Sequence, residues 1–459
     1  MKRLLFTLFA LCAVLLAARA QDTTATLSLD QALQIALSEN ASVKVADLEI
    51  QRTGYARKGT YASLFPQIDG SGSYQRTIKK QVMYMDFAMP GRPDSEEGGG
   101  SSAANGIEVG RWNTFSTGIS ASMPLVNAQL WQSLKISDQD VELAVEKARA
   151  SRLETVTQVK KAFFTVLLAK EAFQVYKGVY ENAMENLDLT QKKFNAQRAS
   201  ELDLTRAKTA VANAIPNVYD SENAVQIGLW QLKAVMGVDL DTDIDVAGTI
   251  ADYAAELDST LPDYEDLSGN STLRQLALQA EQLAQTIKMQ QYAYLPSLAV
   301  AFSYSINAMA NDYKFSNYRW SPYSYVGLSL SIPIFSGGRR YNAVRQTRVQ
   351  AAELDIQRAN TERQLQIAIR QYLGTMGTAV KSYASAASAV ETATKAYSIA
   401  RQSYDVGRST LTDLNDAQLA LTQSQLGVCQ AIYSYVTAKS DLEGTLGADC
   451  IPNNQTTNE

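Results

Sequence analysis

The sequence predicts an α+β chain of two similar halves, each contributing two amphipathic strands and one long helical hairpin. Three observations predict it. Prolines occur at ten positions and none lies between Pro124 and Pro216 or between Pro333 and Pro452, so two very long helical tracts are allowed. Those tracts carry matching heptads of large apolar residues at an offset of 210 positions. Segments alternating at period two, the mark of strands, lie between the helical tracts.

The first heptad runs Val159, Val166, Phe173, Tyr180, Leu187 and Phe194, with Ala162, Ala169, Tyr176, Ala183 and Thr190 three residues later. The second runs Ile369, Met376, Tyr383, Val390, Tyr397 and Tyr404, with Tyr372, Ala379, Ala386, Ala393 and Ala400. Large knobs opposite small holes, sustained in two copies, predict extended helices packed side by side. A continuous tract from about Ala128 to Asn195 would span about 100 Å at 1.5 Å per residue.

Both tracts break at aligned positions. Phe194-Asn195-Ala196-Gln197-Arg198-Ala199-Ser200 matches Tyr404-Asp405-Val406-Gly407-Arg408-Ser409-Thr410, and Met236-Gly237 matches Leu446-Gly447. Ser200 with Asp203, and Thr410 with Asp413, have the spacing of a capping box, so a helix restarts after each turn. Each copy therefore closes as a helical hairpin.

Four strands are expected, at about 66–78, 113–124, 296–306 and 323–334. Phe302 and Tyr304 alternate with Ser303 and Ser305, and Leu328 and Leu330 with Ser329 and Ser331, giving one apolar face and one of small polar residues. Aromatic residues near the strand ends, Trp112, Tyr292, Tyr294, Tyr313, Tyr318, Trp320 and Tyr323, fit an interfacial girdle and equally a soluble sheet. A Gly- and Pro-containing segment, with Pro90–Pro93 and Gly98–Ser102, joins the first two strands as a loop without the residues of a phosphate cradle.

Composition excludes most enzyme classes. The chain has no histidine, which removes Ser-His-Asp and Cys-His catalysis and the commonest metal ligand. Of three cysteines, Cys12 lies in a leading apolar run, leaving Cys429 and Cys450, too few for a four-ligand zinc site. About 18 helical residues hold these two about 27 Å apart, so no intrachain disulfide is expected. No catalytic, cofactor-binding or metal residue is assigned. Lys2-Arg3, the apolar run and Ala18-Arg19-Ala20 predict a signal peptide over 1–20. Its removal leaves 39 basic against 47 acidic residues, which argues against nucleic acid as a partner.

The remaining organisation is a first repeat at 21–237, an acidic connector at 238–266, a second repeat at 267–447 and a tail at 448–459. From Asp239 to Asp266 the connector holds ten acidic and no basic residues and reads as a solvated link; Ile244 and Ile250 stand where a calcium loop needs Gly and Glu.

Together these features resemble the TolC-like outer membrane efflux proteins, or outer membrane factors, over residues 27 to 447. The most specific motifs are Leu27-Ser28-Leu29-Asp30-Gln31-Ala32-Leu33-Gln34-Ile35-Ala36-Leu37 and Leu328-Ser329-Leu330-Ser331-Ile332-Pro333-Ile334-Phe335-Ser336-Gly337-Gly338-Arg339-Arg340. The first copy has Pro124-Leu125-Val126-Asn127 where the second has the Gly-Gly pair. The resemblance implies a homotrimer in which each chain gives four strands to one twelve-stranded β-barrel in outer membrane lipid, continuous with a long α-helical barrel in the periplasm. Barrel physics agrees, since four strands cannot close a transmembrane barrel and the smallest has about eight.

By the same resemblance the protein is the passive exit channel of a tripartite efflux or type I secretion system. Its partners would be a periplasmic adaptor (membrane fusion) protein and an inner-membrane transporter of RND or ABC type. Asp413 and Asp416 match the family's pore-constriction carboxylates, although capping alone also accounts for Asp413. Crowding in a three-fold ring would raise their pKa values. Tyr404 and Arg408 are gate-latch candidates, and Gln197, Arg198, Ala199, Gly407 and Ser409 mark adaptor-contact tips. A periplasmic adaptor or structural coiled-coil protein is the alternative, and it leaves the four amphipathic strands without a purpose.

Overall fold

The computed structural model describes residues 25–84, 107–257 and 266–447. The expected signal peptide, the Pro90–Pro93 and Gly98–Ser102 segments, Cys12, Cys450 and the tail lie outside the described residues. In chain order the elements are β1 (Ala25–Leu27), α1 (Leu29–Glu39), α2 (Ala41–Ala62), β2 (Gln67–Arg76), β3 (Gln81–Met83), β4 (Ile107–Val109), β5 (Asn113–Val126) and α3 (Ala128–Asn195). They continue with α4 (Glu201–Met236), β6 (Ile244–Val246), a 3-10 helix (Ile250–Glu256), α5 (Ser271–Tyr292), β7 (Ser297–Ala310), β8 (Ser321–Ser331), α6 (Arg339–Asp405) and α7 (Leu411–Leu446). The chain divides into a helical unit, Met1–Arg52, Glu142–Gln279 and Leu354–Glu459, and a strand-bearing unit, Thr53–Val141 and Ala280–Glu353.

In the strand-bearing unit, β2, β5, β7 and β8 form one antiparallel sheet in that order, leaving β2 and β8 as edges. β7 extends past the expected end at 306 because Asn307–Ala310 continues the ladder with Asn113–Ser116. β8 stops at Ser331, short of 334, because Pro333 offers no N–H to continue a ladder. The two copies enter their long helices differently. Asn127 accepts the Leu130 N–H at 3.1 Å and caps α3, whereas Gly337 and Gly338 turn into α6 at φ of +59° and +82°.

In the helical unit, the long hairpins pack through the buried residues of the heptads, including Val159, Val166, Ile369 and Met376. The proline at position 216 does not end α4; it sits exposed inside the helix. The connector departs from a solvated link. Its β6 strand pairs in parallel with β1, Ile244, Val246 and Ile250 are buried, and the Tyr253 ring meets Phe164 edge-on at 4.9 Å. Burial of three aliphatic side chains at about 1.5–3 kcal/mol each outweighs the partly exposed ion pair of Lys170 with Asp245, worth about 1 kcal/mol or less. Apolar burial therefore anchors the connector, and Asp239, Asp241, Asp243, Asp252 and Glu256 are exposed.

Each copy has the same joint where its shorter helix meets the end of its hairpin. Asn40 caps α2 by accepting from the Ser42 N–H at 2.7 Å, and its amide donates to the Val235 carbonyl of α4 at 2.6 Å. Asn270 caps α5 by accepting from the Leu273 N–H at 2.9 Å, and donates to the Thr445 carbonyl of α7 at 2.7 Å. Gly237 and Gly447 follow in left-handed conformations, packed so closely that a Cβ would lie 2.6 Å from the Glu39 oxygen and 2.1 Å from the Gly269 oxygen. The second joint is reinforced by Arg149, which donates to the carbonyls of Gly269 and Gly447 at 3.2 and 2.9 Å.

Asn40→Ala and Asn270→Ala should each destabilise the protein by about 1–3 kcal/mol, since each loses a cap and a bond to a partly buried carbonyl. Thermal unfolding of the purified protein measures this. Midpoints unchanged in both variants would show that the joint is incidental.

Candidate functional site at the hairpin tips and strand faces

Both hairpin tips use one backbone design. In the first, the Arg198 N–H donates to the Lys193 carbonyl at 2.8 Å and the Gln197 N–H to Phe194 at 2.9 Å. In the second, Arg408 donates to Ser403 at 2.8 Å and Gly407 to Tyr404 at 3.1 Å. This is the Schellman pattern, which needs one left-handed residue. Gly407 supplies it at φ +76° and Gln197 at φ +58°, where a side chain is strained. Three residues later the capping boxes of Ser200–Asp203 and Thr410–Asp413 restart the helices. Gln197, Arg198, Gly407 and Arg408 are exposed, and Ala199 and Ser409 half-buried. The Ser409 hydroxyl donates back to the Ala400 carbonyl at 3.3 Å.

The tips differ in how their functional candidates are engaged. Asp413 and Asp416 are both exposed in the first turns of α7. Asp413 accepts from the Thr410 hydroxyl at 2.7 Å and the Thr410 N–H at 2.9 Å. These bonds, the hydroxyl first, hold its carboxyl below the usual aspartate range. The direction in the single chain is opposite to the rise expected from crowding, because the cap stabilises the charged form. Asp416 makes no hydrogen bond or ion pair among the described residues.

Tyr404 is 6% exposed and belongs to a small apolar cluster with Ala207, Leu411 and Leu414. Its hydroxyl is 2.6 Å from that of Thr190 on α3, and the Lys193 ammonium sits 4.0 Å from its ring centroid while donating to its carbonyl. The structure therefore brings Tyr404 together with Thr190 and Lys193, tying one hairpin to the other, and leaves Arg408 exposed without a side-chain partner among the described residues. Thr190 was legible only as a small position in a heptad, and Lys193 not at all.

In the sheet, register assigns every side chain to a face. Ala121 pairs with Phe302 and Phe302 with Val326, while Ile119 pairs with Tyr304 and Val300 with Leu328. Paired residues share a face, so Ile68, Ile119, Phe302, Tyr304, Leu328 and Leu330 form one apolar surface. The opposite face carries Asp69, Ser120, Ser303, Ser305, Ser329 and Ser331. Tyr323 and Tyr325 pair with Ser305 and Ser303, which places Tyr323 on the small polar face and removes it from a girdle on the apolar one. The apolar side is exposed, with Ile68, Val326 and Leu328 each at least 70% accessible. A contiguous apolar surface of this kind marks an interaction site.

The sequence model of the outer membrane efflux protein family matches residues 32–238 and 264–448. The chain belongs to the outer membrane efflux protein family. Among curated relatives, it is 21% identical to outer membrane protein TolC of Escherichia coli (strain K12) over 75% of this chain and 71% of that one. It is 22% identical to the alkaline protease secretion protein AprF of Pseudomonas aeruginosa over 71% and 68% of the two chains. The CmeC outer membrane channel of Campylobacter jejuni shares its fold, with a TM-score of 0.71 at 19% identity over 91% of this chain and 85% of that chain. In this outer membrane efflux protein, no helix among the described residues is long and apolar enough to cross a membrane.

Swapping the left-handed residues should move stability in opposite directions: Gln197→Gly up and Gly407→Gln down, each by about 0.5–1 kcal/mol. Thermal midpoints test it, and a fall in both would remove the left-handed strain from the account.

Proposed function

We propose that the protein is a passive outer membrane exit channel, in which three copies each give four strands to a twelve-stranded barrel and their hairpins to a helical tunnel. The observation that carries this reading is the four-stranded sheet with one exposed apolar face and two unpaired edges, β2 and β8. Unpaired backbone groups are not tolerated in hydrocarbon, so such a sheet is completed by pairing β8 of one copy with β2 of the next. Strands of 10 to 14 residues are long enough to cross. An adaptor or coiled-coil role leaves that face unexplained.

The tips, Gln197-Arg198-Ala199 and Gly407-Arg408-Ser409, are the surfaces offered to a periplasmic adaptor, which links the channel to an inner-membrane transporter of RND or ABC type. Relatives named for efflux pumps and for protease secretion support an efflux or secretion role. The Tyr404–Thr190 bond, with Lys193 over the ring, acts as a latch between hairpins. Asp413 and Asp416, repeated by three-fold symmetry, form the constriction; Asp416 is the carboxylate free to meet cations.

Single-cysteine labelling of intact outer membranes tests the barrel. Leu328→Cys should resist a water-soluble thiol reagent while Ser329→Cys reacts, and crosslinking should stop at three copies. Equal labelling of both positions, or a monomer, sinks the reading.

Single-channel recording separates the two aspartates. Asp416→Asn should reduce cation selectivity without loss of stability, whereas Asp413→Asn should also cost about 1 kcal/mol through the lost cap. Unchanged selectivity in the double variant would leave these residues with capping alone.

A further inference from the structure

We propose that the loop end of the apolar face is a binding site for the anionic phosphate headgroup of a membrane lipid, with Arg76 as its cation. The proposal rests on the barrel reading, which places that face against lipid and that end away from the helices. Arg76 pairs with Asn113 and lies two residues beyond Tyr74, so it projects from the same face as Ile119, Phe302 and Leu328. Beneath it is an aromatic platform. Tyr74 stacks on Phe115 at 4.9 Å between centroids, and Phe315 and Tyr318 pack on Phe115 at 5.2 and 5.5 Å.

The cation is held in place by hydroxyl and ring contacts. Arg76 donates to the Tyr313 hydroxyl, which lies 2.8 Å from the Tyr74 hydroxyl, and its guanidinium is 5.8 Å from the Tyr313 ring centroid. Among the described residues no carboxylate lies within ion-pair distance of it. Lys80 differs: it sits 4.8 Å from the Trp112 ring centroid and pairs with Glu108 at 3.8 Å. An unpaired cation on the lipid side of a barrel is tolerated only near the interface, where its cost falls from about 2–4 to about 0–1 kcal/mol. Aromatic rings mark that depth. The anion available there is a lipid phosphate, and the planar guanidinium fork matches phosphate oxygens two at a time.

Native mass spectrometry of the full-length protein, released from nanodiscs of mixed phosphatidic acid and phosphatidylcholine, reads the site. Wild type should retain phosphatidic acid about fivefold over phosphatidylcholine, the worth of one near-surface cation. Arg76→Gln should lose that preference, Arg76→Lys should keep part of it, and Lys80→Gln should leave it unchanged. Equal preference in wild type and Arg76→Gln overturns the proposal. So does displacement of the lipid by inorganic phosphate alone, which would make the ligand a free anion. If the protein carries no lipid and Leu328→Cys labels from water, the barrel reading fails and takes this site with it; lost discrimination in a lipid-bearing protein overturns the phosphate site only.

Discussion

The helical unit depends on one interaction made twice, the asparagine amide that caps one helix while bonding the last turn of another. Each hairpin is closed at its tip by a Schellman turn and a capping box. At the other end, Asn40 to Val235 and Asn270 to Thr445 tie the last turn of each hairpin to the shorter helix that begins there. The close glycines at 237 and 447 make the constraint steric as well as polar, since any side chain there would meet backbone. Tyr404 couples the two hairpins to each other through its bond to Thr190.

What was legible in the sequence follows the range of the forces involved. The α3 tract, the hairpin turns and both capping boxes are local, and a heptad or a three-residue spacing announces them. The strand faces are equally local, because alternation at period two fixes which side chains share a side. The β1–β6 pair was not legible, since three residues give no periodicity and their partners lie more than 200 positions apart. Nor was the burial of the connector: its aspartates dominate the composition while Ile244, Val246 and Ile250 decide the packing. At the candidate site, spacing located Asp413 but not its commitment to Thr410. The partners of Tyr404 come from another helix, where no short-range pattern points to them.

The duplication has been spent differently in the two copies. Where the second copy has Gly407, Asp416 and the Gly337-Gly338 turn, the first has Gln197, Arg206 and a capping Asn127. The scaffold tolerates these exchanges because the backbone hydrogen bonds of the tip are the same in both. The side chains are free to diverge, and the carboxylate pair occurs at only one of the two tips. A symmetric fold thereby presents chemically distinct ends.

The central pairing of the sheet has a consequence for how the protein is made. β5 belongs to the first half of the chain and β7 to the second, and they share the longest ladder among the described residues. Their contact closes a loop of about 170 residues, the sort of long-range pairing that slows folding. The long hairpins are built from near neighbours and can form as soon as each has emerged. The sheet must wait for the second half, so a chain halted between the copies would expose one apolar hairpin of strands with nothing to complete it. Because β2 and β5 precede the long helices in the chain, β5 stays an open edge until β7 has been made.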